Sequence, residues 1–374
     1  MKRLGRAIAE YWHSTDRWML LFWLVASGIS IVLLCGIYNS GMLSSTRRII
    51  TQLVAAAMGA AAAVMMSLMD YRTIVKLWKL YLPVCLVGVA LTFAVGQVRG
   101  DNQAWLVLEL GGLSLSAQPT EFLKIAFIVT FTLHIDRVKN ELNRINNVAL
   151  LCLHGLAYVM LPQMQGDSGT GLVFLGIFLI MIFCAGLDWK YIAAGAALLV
   201  VLIPILWFAV VTPDQKMRIL TLFDPSLSEA YAYQQLRGRM ALSRGGLQGV
   251  GIFKGQHLYV PEVYNDFIFA FLGESTGFMG CLGVILLLFA ICLRMLHTSH
   301  QAEDNTGRML CVGVFGMFFV QVFINLGMCL GVLPVIGVTM PLISHGGTSV
   351  VALYLGLGLV LSVYTHSTKN IFSS

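Results

Sequence analysis

Asp266 is the residue whose type and place ask first for a chemical role. It stands in Tyr264-Asn265-Asp266-Phe267, where a long polar loop, about 212-265, runs into an apolar helix. A carboxylate at the boundary between water and hydrocarbon is costly unless something pairs or uses it. Partial desolvation there can hold it poised to accept a proton. Such a residue can also serve only as a helix cap, Asn265 or Asp266 filling that role before Phe267. Glu274 follows on the same helix; eight residues amount to roughly 80° of net rotation, so the two carboxylates share a broad face without stacking.

Further polar groups sit beside other apolar runs. In Gln118-Pro119-Thr120-Glu121-Phe122-Leu123-Lys124 a proline starts a helix, and Glu121 and Lys124 lie i, i+3 on one face, where they can neutralise each other. That pair fits a substrate cavity as well as a plain helix-locking ion pair. Asp167, in Gln165-Gly166-Asp167-Ser168-Gly169-Thr170, reads first as a helix cap. Arg218 with Asp224-Pro225 reads in isolation as a solvated cation and an ordinary turn. The run Gly337 to Ser349 contains Ser344, His345, Gly346 and Gly347; its glycines permit close backbone approach and free amides for an anion, or simply close helix packing.

The elements that must carry these groups are membrane helices. The 374 residues are 58% hydrophobic and 11% charged, against roughly 25% charged in a soluble domain. Ten apolar runs, near 18-37, 50-69, 78-97, 120-136, 148-163, 170-187, 190-211, 266-293, 309-332 and 344-365, are long enough to span hydrocarbon as helices. Strand-like alternation is absent, which argues against a barrel. An all-α polytopic membrane protein of about ten transmembrane helices follows, with one domain over residues 1-374 and one large extracytoplasmic loop.

An even number of spans puts both termini on one side, and Lys and Arg decide which. One set of segments holds Lys2, Arg3, Arg6, Arg17, Arg72, Lys76, Lys79, Arg137, Lys139, Arg144, Lys190, Arg294, Arg308 and Lys369, while the short loops opposite hold Arg47, Arg48 and Arg99. The positive-inside rule therefore places both termini in the cytoplasm. Met1 to Arg17 reads as a retained cytoplasmic tail, since no small-residue cleavage site follows it. Lys216, Arg218, Arg237, Arg239, Arg244 and Lys254 lie in the long outer loop against the rule, which implies a task there. Within that loop Tyr233, Leu236 and Met240 recur as on a short interfacial helix, which Gly245, Gly246, Gly249 and Gly251 then break. The eight cysteines fall inside apolar runs without metal or redox spacing and read as small core residues.

Taken in order, Gln118 to Lys124, Asp167 to Thr170, Gly186-Leu187-Asp188-Trp189, Arg218 with Asp224-Pro225, Gly246 to Gly251, Asp266-Phe267-Ile268-Phe269 and Asn325 through Gly347 resemble the SEDS family of shape, elongation, division and sporulation proteins. The compact loops and short termini are more similar to its RodA branch than to FtsW. The resemblance spans nearly the whole chain. It implies a membrane peptidoglycan glycosyltransferase that polymerises lipid II, the undecaprenyl-pyrophosphate-linked disaccharide-peptide, at the outer face of the bacterial cytoplasmic membrane. The family's essential aspartate falls on Asp266, its Glu and Lys on Glu121 and Lys124, and its turn aspartate on Asp167.

Under that resemblance Asp266 is the expected general base for the acceptor hydroxyl. Arg218, Arg237, Arg239 or Arg244, or a divalent cation such as Mg2+ or Mn2+, would neutralise the departing pyrophosphate. Glu274 and Ser344 are further candidates for substrate contact or support. No metal-ligand motif is visible, so the metal stays unidentified. The implied partners are lipid II, membrane lipid and a class B penicillin-binding transpeptidase; nucleic acid is not among them. The chain departs from the family pattern at Ala104, Ser275, Thr339 and His345, positions that bear on substrate contacts. Two rival functions are a lipid II flippase, since polar pairs within spans also serve transporters, and a scaffold that only positions the transpeptidase.

Overall fold

The computed structural model describes residues 11–99, 102–110, 113–209, 211–254 and 256–371. Each of the expected spans is a helix: α1 (Arg17–Asn39), α2 (Arg47–Leu68), α3 (Trp78–Val95), α4 (Pro119–Val138), α5 (Ile145–Met164), α6 (Ser168–Cys184) and α7 (Trp189–Ala209). Two helices of the long loop follow, α8 (Pro213–Phe223) and α9 (Glu229–Gly245), then α10 (Ile268–Gln301), α11 (Asn305–Leu330) and α12 (Gly347–Ile371). Eight of these helices are long and apolar enough to cross a membrane by length and composition. In hydrocarbon every backbone N–H and C=O must find its partner inside the segment, which is why such apolar runs become helices. The chain is an all-α, multi-pass membrane protein. Of the basic amino-terminal tail, residues 1–10 lie outside the described residues.

Local sequence sets the helix ends. Asp16 caps α1 by accepting from the Met19 amide at 3.1 Å, and Asp304 caps α11 from Gly307 at 2.7 Å. Small residues set the packing. On α2 the buried positions include Ala55, Gly59, Ala63 and Ser67, four residues apart. That stripe lets α12 approach so closely that a Cβ on Gly59 would lie 2.9 Å from Tyr354. Without a hydrophobic drive between helices in lipid, such small-residue contact is the means of association.

Two features of the loop side were not expected. Between α3 and α4 the chain forms an antiparallel meander of β1 (Gln97–Arg99), β2 (Asn102–Leu110) and β3 (Leu113–Ala117), paired from Leu106 with Ala117 to Leu110 with Leu113. It is fastened to the α5–α6 turn through the Gln103 amide and the Gln165 carbonyl, 3.0 Å apart, and it delivers Gln118 to the head of α4. The second is α8, started by a reciprocal Thr212/Gln215 capping box.

The expected short helix around Tyr233 to Met240 is α9. Its buried face is Ala232, Gly238, Ala241 and Gly245, pressed on the start of α10, while Tyr233 and Met240 stay exposed.

Candidate active site

Asp266 lies in a turn ahead of α10, and its side chain caps nothing: the N-cap position is Phe267, with no side-chain hydrogen bond. The turn is held by its backbone instead. Asn325 of α11 donates its side-chain amide to the Asp266 carbonyl at 2.8 Å and to the Val338 carbonyl at 2.7 Å. The Ser344 hydroxyl donates to the Asn265 carbonyl and accepts from the Met340 amide at 2.9 Å. The His345 amide donates to the Tyr264 carbonyl at 2.9 Å. Arg48 covers the Tyr264 ring, its guanidinium carbon 3.8 Å from the ring centroid, and donates to the phenol oxygen at 2.9 Å. The backbone contacts leave the carboxylate uncommitted.

Burial pushes the Asp266 carboxyl up to about 7, with the charges of Glu262 and Asp167 adding to the effect and Arg218 opposing it. Arg218 sits on α8, its Nη1 donating to the Val335 carbonyl at 3.4 Å. Asp167 is itself raised, first by burial; the Thr170 amide and hydroxyl oppose that shift and the Glu121 charge adds to it. Its Oδ1 caps α6 through the Thr170 amide at 3.0 Å, as its place in the sequence indicates. Its Oδ2 also accepts from Thr170 Oγ1 at 2.8 Å and from Gln118 Nε2 at 2.7 Å. Glu121 and Lys124 form a buried ion pair at 2.8 Å. Glu121 Oε2 has no hydrogen-bond partner. A line of interacting charges therefore runs from Lys124 through Glu121 and Asp167 to Asp266 and Arg218.

The remaining candidates fall elsewhere. Arg237 donates to the Tyr259 carbonyl at 2.9 Å. Arg239 lies against Gly331 and borders a small recess with Thr221 and Gln235. Glu274 is buried among partners from the loop: the Leu258 amide at 3.0 Å, Arg244 Nη1 at 3.2 Å and His257 Nδ1 at 3.2 Å. Ser344, with both roles of its hydroxyl filled, staples two loops beside Asp266. Asn325, Gln118 and Arg48 were not singled out for these contacts from sequence. Gln118 and Asn325 stand in runs that carry the family resemblance, and Arg48 left a trace as a cation on the sparsely charged side.

Among the described residues no group of three or more His, Cys, Asp or Glu side chains is placed to hold a metal ion. Beside Pro119, where α4 begins, an apolar cavity of about 470 Å3 opens among Met66, Tyr81, Phe122, Ile125, Val129 and Leu355, between α2, α3, α4 and α12.

Comparison with known proteins agrees along most of the chain. The chain is 33% identical over 321 residues to the peptidoglycan glycosyltransferase MrdB of Escherichia coli K12, covering 83% of this chain and 84% of that protein. It is 30% identical over 360 residues to the probable peptidoglycan glycosyltransferase FtsW of Bacillus subtilis 168, covering 89% and 88%. Its fold matches a chain from a structure described as the structural coordination of polymerization and crosslinking by a peptidoglycan synthase complex, with TM-score 0.76, 26% identity and 94% and 98% coverage. It also matches the rod shape determining protein RodA of Thermus thermophilus, with TM-score 0.69, 24% identity and 94% and 97% coverage. The model of the cell cycle protein family of FtsW, RodA and SpoVE matches residues 15–369, and the chain belongs to that family.

Proposed function

We propose that this protein is a peptidoglycan glycosyltransferase that polymerises lipid II at the outer face of the bacterial cytoplasmic membrane, in service of cell shape, with both termini cytoplasmic. The observation that carries the reading is Asp266: an uncapped carboxylate at the water boundary, partly buried, pushed up to about 7 and facing Arg218. A base of that strength can take a proton near neutral pH, where an ordinary aspartate is too weak a base to be effective.

In the reaction, the acceptor sugar's 4-hydroxyl attacks the anomeric carbon of the donor. Asp266 takes the hydroxyl proton as the new glycosidic C–O bond forms. The bond from the anomeric carbon to the lipid diphosphate breaks, and the electron pair leaves with the diphosphate. Arg218, the loop cation whose charge bears on Asp266, is the candidate to neutralise that group. The buried Glu121–Lys124 pair and Asp167 extend the line of interacting charges from Asp266. The apolar cavity beside Pro119 offers the polyprenyl chain a place in hydrocarbon next to the head-group chemistry.

A class B penicillin-binding transpeptidase is the expected partner. The matched synthase complex, whose description couples polymerization to crosslinking, supports that pairing.

The test uses the full chain, purified with its transpeptidase partner and given labelled lipid II. Glycan polymer should form and should vanish in Asp266→Asn. Undiminished polymer in that variant would refute the base assignment. Lipid translocation in vesicles without polymer would favour a flippase, and partner binding with neither activity would favour a scaffold.

A further inference from the structure

Helix α10 is two helices joined at a break. Gly277 has φ 68° and ψ −166°, far from helical values. In an unbroken helix the carbonyls of Glu274 and Ser275 would accept from the amides of Phe278 and Met279. Here the loop after α9 takes over both sides of that exchange. The Val250 and Gly251 amides donate to the Glu274 and Ser275 carbonyls, each at 2.9 Å. The Gly246 and Leu247 carbonyls accept from Phe278 at 2.8 Å and Met279 at 3.2 Å. Backbone comes close enough for this only where side chains are missing: Gly249 has φ +79°, and a Cβ there would lie 2.3 Å from the Ser275 carbonyl oxygen.

The loop-side segment of α10, residues 268–276, is thereby separated from the ladder of its own helix and clasped by residues 244–251 with His257 and Leu258. Its strongest tie is the Glu274 carboxylate, 1% exposed. One carboxylate gathers three donors from the loop: the Leu258 amide at 3.0 and 3.2 Å, Arg244 at 3.2 Å and His257 at 3.2 Å. The His257 ring also packs on Phe271 of the same segment, centroids 4.7 Å apart. The turn with Asp266 continues directly from the other end of this segment.

We propose that Glu274 is a positioning residue for Asp266: by binding Leu258, His257 and Arg244 it fixes the angle of the detached segment, and with it the place of the Asp266 carboxylate relative to Asp167 and Arg218. The proposal rests on Asp266 being the base. Glu274 itself touches no substrate, being enclosed by the loop. The loop of α9 thus controls the base through a segment pivoted at Gly277.

The experiment compares wild type, Glu274→Gln and the milder Arg244→Gln, each as full chain with its transpeptidase partner. Glu274→Gln keeps the shape and an acceptor for Leu258 and loses the charge that Arg244 and His257 face. Misplacing a base by about 1 Å costs on the order of 100-fold, so kcat should fall about 10- to 100-fold while KM for lipid II stays within about twofold. The charged and titratable groups facing Asp266, namely Glu262, Asp167, Arg218, Tyr264 and Cys329, are untouched. A shift of Asp266 toward water should therefore move the rising limb of the kcat–pH profile to lower pH. Arg244→Gln should move both readouts the same way by less. Amide hydrogen exchange should quicken over 268–276 and stay unchanged over 278–301.

Loss of kcat with the pH limb and the exchange of 268–276 unaltered would mean fewer folded molecules and would overturn the proposal. So would an unchanged kcat. If wild type makes no polymer from lipid II, the base reading falls and the positioning role with it; polymerisation that depends on Asp266 and ignores Glu274 would sink the positioning role alone.

Discussion

At Asp266 the requirement for burial and the requirement for charge act against each other, and pH decides between them. The acid form is favoured in the folded protein up to about pH 7, well above the usual carboxylate range. With Asp266 as the proposed base the active form is the ionised one, so polymerisation should rise as pH increases through about 7, and initial rates across pH 5.5–8.5 would check it. Stability should run the other way. A carboxyl whose folded value is raised contributes its stabilisation fully below the ordinary value near 4 and loses it as pH climbs to about 7. Thermal unfolding should therefore occur at lower temperature at pH 8 than at pH 6, by a margin that shrinks in Asp266→Asn. The Glu121–Lys124 pair poses a different residue-scale question. Lys124→Met leaves Glu121 buried without its cation, which should cost about 3–5 kcal/mol of stability. The double change Glu121→Gln, Lys124→Met should recover much of that loss in unfolding measurements. Recovery of stability without recovery of activity would separate a substrate-facing role from a packing one.

Among the elements, α10 departs furthest from what its sequence implies. The apolar run 266–293 reads as one unbroken span, and Gly277 and Gly280 lie within it. The break exists because the loop of Gly246, Gly249 and Gly251 supplies backbone partners on both sides of it. Gly277→Ala places a Cβ within 2.5 Å of Leu247 and Gly249 backbone atoms, at a positive φ that alanine resists. It should destabilise the protein by about 1–3 kcal/mol from backbone strain alone, read as a lower unfolding temperature in detergent. Gly283, with open space around it, should accept alanine with little change and serves as the matched control. The β1–β3 meander shows the same dependence on context. Leu113-Ser-Leu-Ser alternates as a strand would, yet so short an alternation between membrane helices stands out only once β2 pairs with it.

At the scale of the molecule, all the groups that act on Asp266 gather at the end of the bundle that bears the long loop. The opposite end is closed by Arg72, which bridges Asp70, Glu303 and Asp304 at 3.5, 2.8 and 3.2 Å. With the proposed orientation, Ser226→Cys should react with an impermeant maleimide added to intact cells, and Asn140→Cys should react only after permeabilisation. The reverse pattern would invert the topology and place Asp266 away from its substrate.

The sequence by itself determined the class of protein and the position of its spans, because apolar length and the cost of unpaired backbone in hydrocarbon are properties of the chain alone. It also singled out Asp266, Glu121, Lys124 and Asp167, since charges near hydrocarbon are conspicuous wherever they occur. Whether Asp266 caps the helix was decided by tertiary structure, which puts Phe267 at the cap position. A cap is defined by where a carboxylate points, and only the fold shows Asn325, Ser344 and His345 fixing the turn through its backbone rather than through that carboxylate. Likewise Glu274, close to Asp266 in sequence and on a shared helical face, belongs to the loop's clasp. That division depends on the break at Gly277 and on backbone partners from residues 246–251, which no helical periodicity can reveal.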